Sequence, residues 1–150
     1  MRVFNGMNIS ASALTAQRFR MDVISSNMAN AETTRANFVN GEWQPYRRKL
    51  VDLEPATGSF NGYLNKAMKE SSTPGQGVRV SRVVEDQTPF KMVYNPEHPD
   101  ANADGYVAMP NVDPLKEMID LMSATRSYEA NVTAFNATKG MMMKALEIGK

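Results

Sequence analysis

Three stretches of this chain carry residue types at spacings that could do chemistry. Asp100-Ala101-Asn102-Ala103-Asp104-Gly105 matches the opening of a calcium loop, D-x-N-x-D-G, in which alternate side-chain oxygens face one cation. Such a loop needs a bidentate glutamate at its twelfth position, and that position is Asn111. Pro96, Pro99 and Pro110 also oppose flanking helices, so the stretch reads as an Asx-rich turn. His98, the single histidine, sits between Pro96, Glu97 and Pro99 and reads as a loop residue at the surface. Arg47-Arg48-Lys49 is the one three-residue basic run; it reads as a solvated strand edge or a contact with an acidic neighbour.

Other chemistry lacks its parts. There is no Gly-x-Ser-x-Gly elbow, phosphate-binding loop or dinucleotide fingerprint. Gly75-Gln76-Gly77 follows a proline and precedes a strand, so it reads as a loop. There is no cysteine, hence no thiolate site and no disulfide framework. Seventeen basic residues against sixteen acidic ones leave a formal charge of +1, which draws the chain neither to nucleic acid nor to an anionic membrane. The N-terminus has no apolar core of a signal peptide, and no stretch is apolar enough to span a membrane. The expectation is a non-enzyme without catalytic residues, metal, cofactor, nucleic acid or small-molecule substrate.

The elements follow from where proline falls. All eight prolines lie between Pro45 and Pro114. Proline removes a helical hydrogen bond and clashes with the preceding turn. The fold class expected is therefore α+β, mainly α: N- and C-terminal helices paired as a coiled coil, with an irregular β-rich insert between them. Residues 1–35 and 111–150 would form a discontinuous helical domain, and residues 36–110 the insert. The first helix is expected over Asn8 to Asn30, where Met7, Leu14, Met21 and Met28 recur every seven residues. The second starts at Asp113, a good N-cap, with Pro114 in the first helical position. Glu117 and Asp120 suit the positive end of its dipole, and Lys144 and Lys150 the negative end. Along it Met118, Leu121, Thr125, Tyr128, Val132, Phe135, Lys139, Met142 and Leu146 alternate spacings of three and four, an a/d seam. In the insert, Asn40-Gly41 signals a hairpin, Tyr46 to Leu53, Val78 to Glu85 and Phe90 to Tyr94 read as strands, and Glu70 to Gly77 as a flexible loop.

Core-forming residues are scarce. Leu, Ile, Val and Phe number 29 of 150, and twelve Met with sixteen Ala supply part of the deficit. Leu115, Ile119, Met122 and Met143 widen the apolar face of the second helix beyond a two-stranded seam. Such a chain is expected to complete its burial on partners.

The termini carry a resemblance. Ala13-Leu14 through Ser25-Ser26-Asn27-Met28-Ala29-Asn30 resembles the N-terminal signature of the flagellar rod, hook and hook-associated axial proteins, Ser-x-Asn-Ile-Ala-Asn followed by Thr. Ser127-Tyr128-Glu129-Ala130-Asn131 and the run to Leu146 resemble the C-terminal motif of that family. Asn8 to Leu14, Thr33-Thr34-Arg35, Gly105-Tyr106-Val107 and Pro110-Asn111-Val112-Asp113 are similar to its proximal rod members, and the resemblance covers nearly the whole chain. Met28 stands where Ile is common, and Thr33-Thr34-Arg35 replaces the Thr-x-Gly-Tyr of many hook-type relatives.

The resemblance implies a structural subunit of the proximal rod, which transmits torque and encloses an export channel. It implies assembly with itself, other proximal rod proteins, the membrane-ring adaptor and the distal rod protein. It also implies passage through the flagellar type III export apparatus without a cleaved signal, to a place in the basal body on the periplasmic side of the cytoplasmic membrane. Subunit packing is then expected at Leu14, Met21, Ile24 and Met28 and at Met118, Leu121, Tyr128, Val132, Phe135, Met142 and Leu146. Asn27, Asn30 and Asn131 are candidates for buried hydrogen bonds at helix crossings, with ordinary capping as the alternative. The rival readings are another axial protein of the family and a soluble coiled-coil adaptor.

Overall fold

A computed structural model of the chain describes residues 4–39, 41–56 and 76–148. Helix α1 runs Asn5–Ala29 and helix α2 runs Pro114–Ile148. Between them lie β1 (Asn37–Val39), β2 (Glu42–Gln44), β3 (Lys49–Pro55), β4 (Val78–Glu85), β5 (Lys91–Tyr94) and β6 (Tyr106–Met109). Among the described residues the strands form three separate two-stranded ribbons, β1–β2, β3–β4 and β5–β6. This is the α+β architecture that the proline distribution predicts, with helices at the ends and short strands between.

Local chemistry explains the boundaries. Asp113 Oδ1 accepts the Leu115 N–H at 3.1 Å, capping the first turn of α2 just ahead of Pro114. Lys144 lies short of the last turn of α2, where its ammonium pairs with Glu147 at 2.6 Å; Lys150 is outside the described residues. Helix α1 ends at its own polar cluster: Asn30 Nδ2 donates to Ser26 O at 2.9 Å, and the Thr33 hydroxyl donates to Asn30 Oδ1 at 3.3 Å. Strands β1 and β2 turn around Gly41, with Phe38 opposite Trp43 and their rings 5.1 Å apart. The expected strand from Tyr46 begins later, at Lys49, because Tyr46 and Arg48 are committed to contacts described below. Of the loop expected at Glu70 to Gly77, all but Gln76 and Gly77 lie outside the described residues. Strand β6 was not foreseen as an element; it pairs antiparallel with β5, Tyr94 opposite Tyr106 and Val93 opposite Val107.

Two compact units divide the chain, each using parts of both helices. One comprises Met1–Arg20, Asp52–Arg82 and Ser123–Lys150. In it the start of α1 lies beside the C-terminal half of α2: a Cβ on Gly6 would stand 3.8 Å from Thr138 Cγ2. Among the described residues, Ala16 and Ala124 are its buried apolar ones, small side chains that let backbones approach. Gly77 enters β4 so close to α1 that a Cβ there would lie 2.3 Å from Ser12 Oγ, which accepts the Val78 N–H at 3.1 Å. The other unit comprises Met21–Val51 and Val83–Met122. Its buried apolar residues are Ile24, Tyr46, Val107 and Val112, and around them sits a polar network. The end of α1 here meets the start of α2, so the two helices are antiparallel neighbours.

Candidate functional site: a buried polar network and an exposed apolar helix face

In the second unit, three charged or polar side chains are buried together: Asn27 on α1, Arg48 ahead of β3, and Glu117 in the first turn of α2. Asn27 Nδ2 donates to Lys49 O at 2.9 Å and to Glu117 Oε2 at 3.0 Å. Its Oδ1 accepts the Lys49 N–H at 2.9 Å and the Tyr46 hydroxyl at 3.0 Å. The amide thus uses both donors and both acceptor sites, its full capacity.

Arg48 Nε donates to Glu117 Oε1 at 2.6 Å, and its two terminal nitrogens face Asp120 at 3.2 Å and Asp86 at 3.7 Å. The Arg48 backbone N–H donates to Asn111 Oδ1 at 2.8 Å, and Asn111 Nδ2 returns to Asp86 O at 3.0 Å and Thr88 Oγ1 at 2.9 Å. Asp86 is held below the ordinary carboxylate pKa, first by the Thr88 backbone N–H that its Oδ1 accepts at 3.0 Å, then by the Thr88 hydroxyl and the Arg48 charge; partial burial opposes the shift. A buried ion pair is tolerable when hydrogen bonds answer the remaining polar atoms, and here they do.

This placement corrects one expectation and extends another. Arg48 is 8 % exposed, so the basic run is not a solvated edge; its acidic neighbours are Glu117, Asp120 and Asp86 of the same chain. Glu117 does sit in the first turn of α2, but fully buried. Of the three asparagines named for helix crossings, Asn27 bridges α1 to α2, whereas Asn30, just past the end of α1, and Asn131 bond four residues back along the chain, to Ser26 O and to Ser127 O. Sequence reasoning offered an acidic neighbour for the basic run of Arg48 and placed Glu117 at the start of α2, but it did not join them, and it gave Tyr46, Asp86 and Asn111 no part in such a network. The available signal was Asn27 itself, an amide among apolar helix positions that had to find partners.

The acidic loop is a turn by its geometry. Asn102 Oδ1 accepts the N–H groups of Asp104 at 3.1 Å and Tyr106 at 2.9 Å, and Gly105 takes φ +80°. Asp100 pairs with Arg35 and accepts the Thr34 hydroxyl at 2.7 Å. Those two partners, Arg35 first, hold its pKa below the usual range. His98 Nδ1 accepts the Asp100 N–H at 3.1 Å. Among the described residues, no group of three or more Asp, Glu or His is arranged to hold a metal ion.

The helices' apolar residues divide by face. On α1, Leu14, Met21 and Met28 are half-buried and Ile24 is buried. On α2, Leu121, Tyr128, Val132, Phe135 and Met142 are half-buried, while Met118 and Leu146 are exposed. Leu115, Met118, Ile119 and Met122, at helical i, i+3, i+4, i+7 spacing, are each at least half exposed and form an apolar stripe. At the other end of α2, Phe4, Thr138, Met141, Met142, Ala145 and Leu146 line an apolar groove. No helix among the described residues is long and apolar enough to cross a membrane.

Comparison with known proteins agrees with both helical ends. Residues 7–36, which contain Asn27, match the family described as flagella basal body rod protein. Residues 103–148, which contain Glu117, match the family described as flagellar basal body rod FlgEFG protein, C-terminal. The chain is 65 % identical over 150 residues to the flagellar basal-body rod protein FlgC of Bacillus subtilis, covering all of both chains. It is 43 % identical over 152 residues to FlgC of Escherichia coli O6:H1, again covering all of both. To FlgC of Borreliella burgdorferi it is 39 % identical over 159 residues, with 99 % of this chain and 98 % of that one covered. The chain belongs to the FlgC family of flagellar basal-body rod proteins.

Proposed function

We propose that this protein is a structural subunit of the flagellar proximal rod, polymerising through its terminal helices and performing no catalysis. The observation that carries the reading is the exposed apolar stripe Leu115, Met118, Ile119 and Met122, on the helix whose sequence matches the rod family. A contiguous apolar stripe on a helix is unfavourable in water and favourable against a neighbour. Similarity over the full length to proteins named for the basal-body rod supports the same conclusion.

In the finer version of this reading, residues 1–35 and 111–150 lie toward the axis of the rod and residues 36–110 outside it. Leu14, Met21 and Met28, with Met118, Leu121, Tyr128, Val132, Phe135, Met142 and Leu146, pack against neighbouring copies, other proximal rod proteins, the membrane-ring adaptor and the distal rod protein, while Ile24 is buried within the chain itself. The assembled rod transmits torque and surrounds the export channel. The chain reaches it on the periplasmic side of the cytoplasmic membrane through the flagellar type III apparatus, without a cleaved signal peptide.

The test is deletion of the gene in its host, with complementation, scored by swimming and by electron microscopy of basal bodies. The expected result is non-motile cells whose basal structures stop before the rod, rescued by the intact gene. Normal swimming on complete filaments would overturn the reading, and a closed oligomer by light scattering would then favour a soluble coiled-coil adaptor.

A further inference from the structure

The near-neutral charge of the chain conceals a division. The unit comprising Met21–Val51 and Val83–Met122 carries eleven acidic and six basic side chains, a formal charge of −5. The unit comprising Met1–Arg20, Asp52–Arg82 and Ser123–Lys150 carries five acidic and eleven basic ones, a formal charge of +6. Together they leave the +1 of the whole chain.

Each unit also bears one exposed apolar surface of α2, and the two differ in shape. The negative unit bears the stripe Leu115, Met118, Ile119 and Met122, a convex ridge at helical spacing with every member at least half exposed. Asp113, beside it, is exposed as well. The positive unit bears the groove lined by Phe4, Thr138, Met141, Met142, Ala145 and Leu146. Gly6 near the start of α1 lies beside Thr138, and α2 continues to Ile148, so α2 runs beyond the start of α1 and the groove stands open. Met141 and Leu146 are 65 % and 75 % exposed, and Lys139 beside them is exposed.

Two copies of the chain have three ways to cover these surfaces. Ridge on ridge sets −5 against −5, and groove on groove sets +6 against +6; like charges brought together oppose association. Neither arrangement interlocks. Ridge into groove is the way helix surfaces pack, it sets the negative unit of one copy against the positive unit of the next, and it removes both apolar surfaces from water. Because the two patches differ, the contact is heterologous and repeats from copy to copy.

We infer that the groove at the C-terminal end of α2 in one copy seats the Leu115, Met118, Ile119 and Met122 ridge of a second copy, with charge selecting this pairing over its two symmetric rivals. The inference deepens the rod reading and rests on it for where the docking takes place in the cell; the pairing itself stands on the two patches and their charges.

The natural chain has no cysteine, so the contact is tested with two single-cysteine forms of the full chain, Ile119→Cys and Leu146→Cys, each checked for cooperative urea unfolding. Both substitutions fall at exposed positions. The two forms are treated with a short bismaleimide, which joins two thiols by adding each across a carbon–carbon double bond, first separately and then mixed. The expected result is several-fold more covalent dimer from the mixture than from either form alone, with mass spectrometry finding one of each form in every dimer. The yield should fall several-fold from low to high salt, because exposed charges are screened. Dimer formed equally well by one form alone overturns the inference, as does a mixture that yields none. Mixed dimers that are indifferent to salt overturn the part given to charge. Failure of the rod reading is distinguishable: it would show as wild-type chain absent from basal bodies while mixed dimers still formed. Chain present in basal bodies with its Ile119→Cys thiol joined only to a different protein would mean that the ridge has another occupant, and would also overturn the inference.

Discussion

Glu117 meets Arg48 across 69 positions of sequence and Asn27 across 90, and its isolation from water makes it the most sensitive residue of the second unit. Removing the Glu117 carboxylate takes the short 2.6 Å contact from Arg48, leaving it Asp120 and Asp86, and leaves Asn27 Nδ2 one acceptor short in a buried place. Glu117→Ala is therefore expected to cost about 1–3 kcal/mol in urea unfolding. The sequence allowed the basic run a contact with an acidic neighbour but did not single out Glu117 as that neighbour. A carboxylate in a first helical turn and a guanidinium in a basic run are ordinarily solvated, and only the folded chain shows that these two are not.

Acid acts on a related pair of residues. Asp86 and Asp100 both have pKa values depressed in the fold. Each therefore contributes stability that is fully present above the unfolded value near about 3.9 and is lost as pH falls through the lower folded value. The urea midpoint should hold steady from neutral pH to the ordinary carboxylate range and fall below it, and Asp86→Asn should lower the neutral plateau while making that fall shallower. An acid limb unchanged by Asp86→Asn would remove that residue from the account.

At the scale of elements, the helix ends were the most legible feature. Asp113 and Pro114 mark the start of α2, and the absence of proline before Pro45 leaves room for α1. Strand β4 matches its expected span, because Val78 to Glu85 is rich in β-branched residues. Strand β6 was not legible: Tyr106 to Met109 is four residues between a turn glycine and a proline, and its strand character comes from pairing with β5. The close approach at Gly77 was also hidden, since a glycine in a loop and a glycine under a helix look alike in sequence. Gly77→Ala should drive a Cβ into Ser12 and lower stability by about 1–3 kcal/mol, read by thermal or urea unfolding. Gly77 tolerating alanine without loss would mean that β4 and α1 are not packed in this way. On the outer stripe the opposite outcome is expected: Ile119→Asp should leave unfolding unchanged within about 0.5 kcal/mol while abolishing incorporation into basal bodies, because an unpaired charge in an apolar interface is unfavourable.

For the whole molecule, the low content of Leu, Ile, Val and Phe finds its physical expression in what the helices expose. The interior is completed by alanines and by a polar network, and large apolar side chains of α2 remain at the surface. That division suits a subunit whose full burial comes with its neighbours. The most direct measurement is photo-crosslinking from Ile119 in the host, with a photoreactive residue at that position and basal bodies purified before analysis. The account predicts covalent adducts between this chain and other rod subunits, or further copies of itself, within the basal body. Basal bodies that contain the chain but give no adduct from Ile119, while a reactive residue at buried Val107 behaves the same way, would contradict the claim that the outer stripe of α2 is a subunit interface.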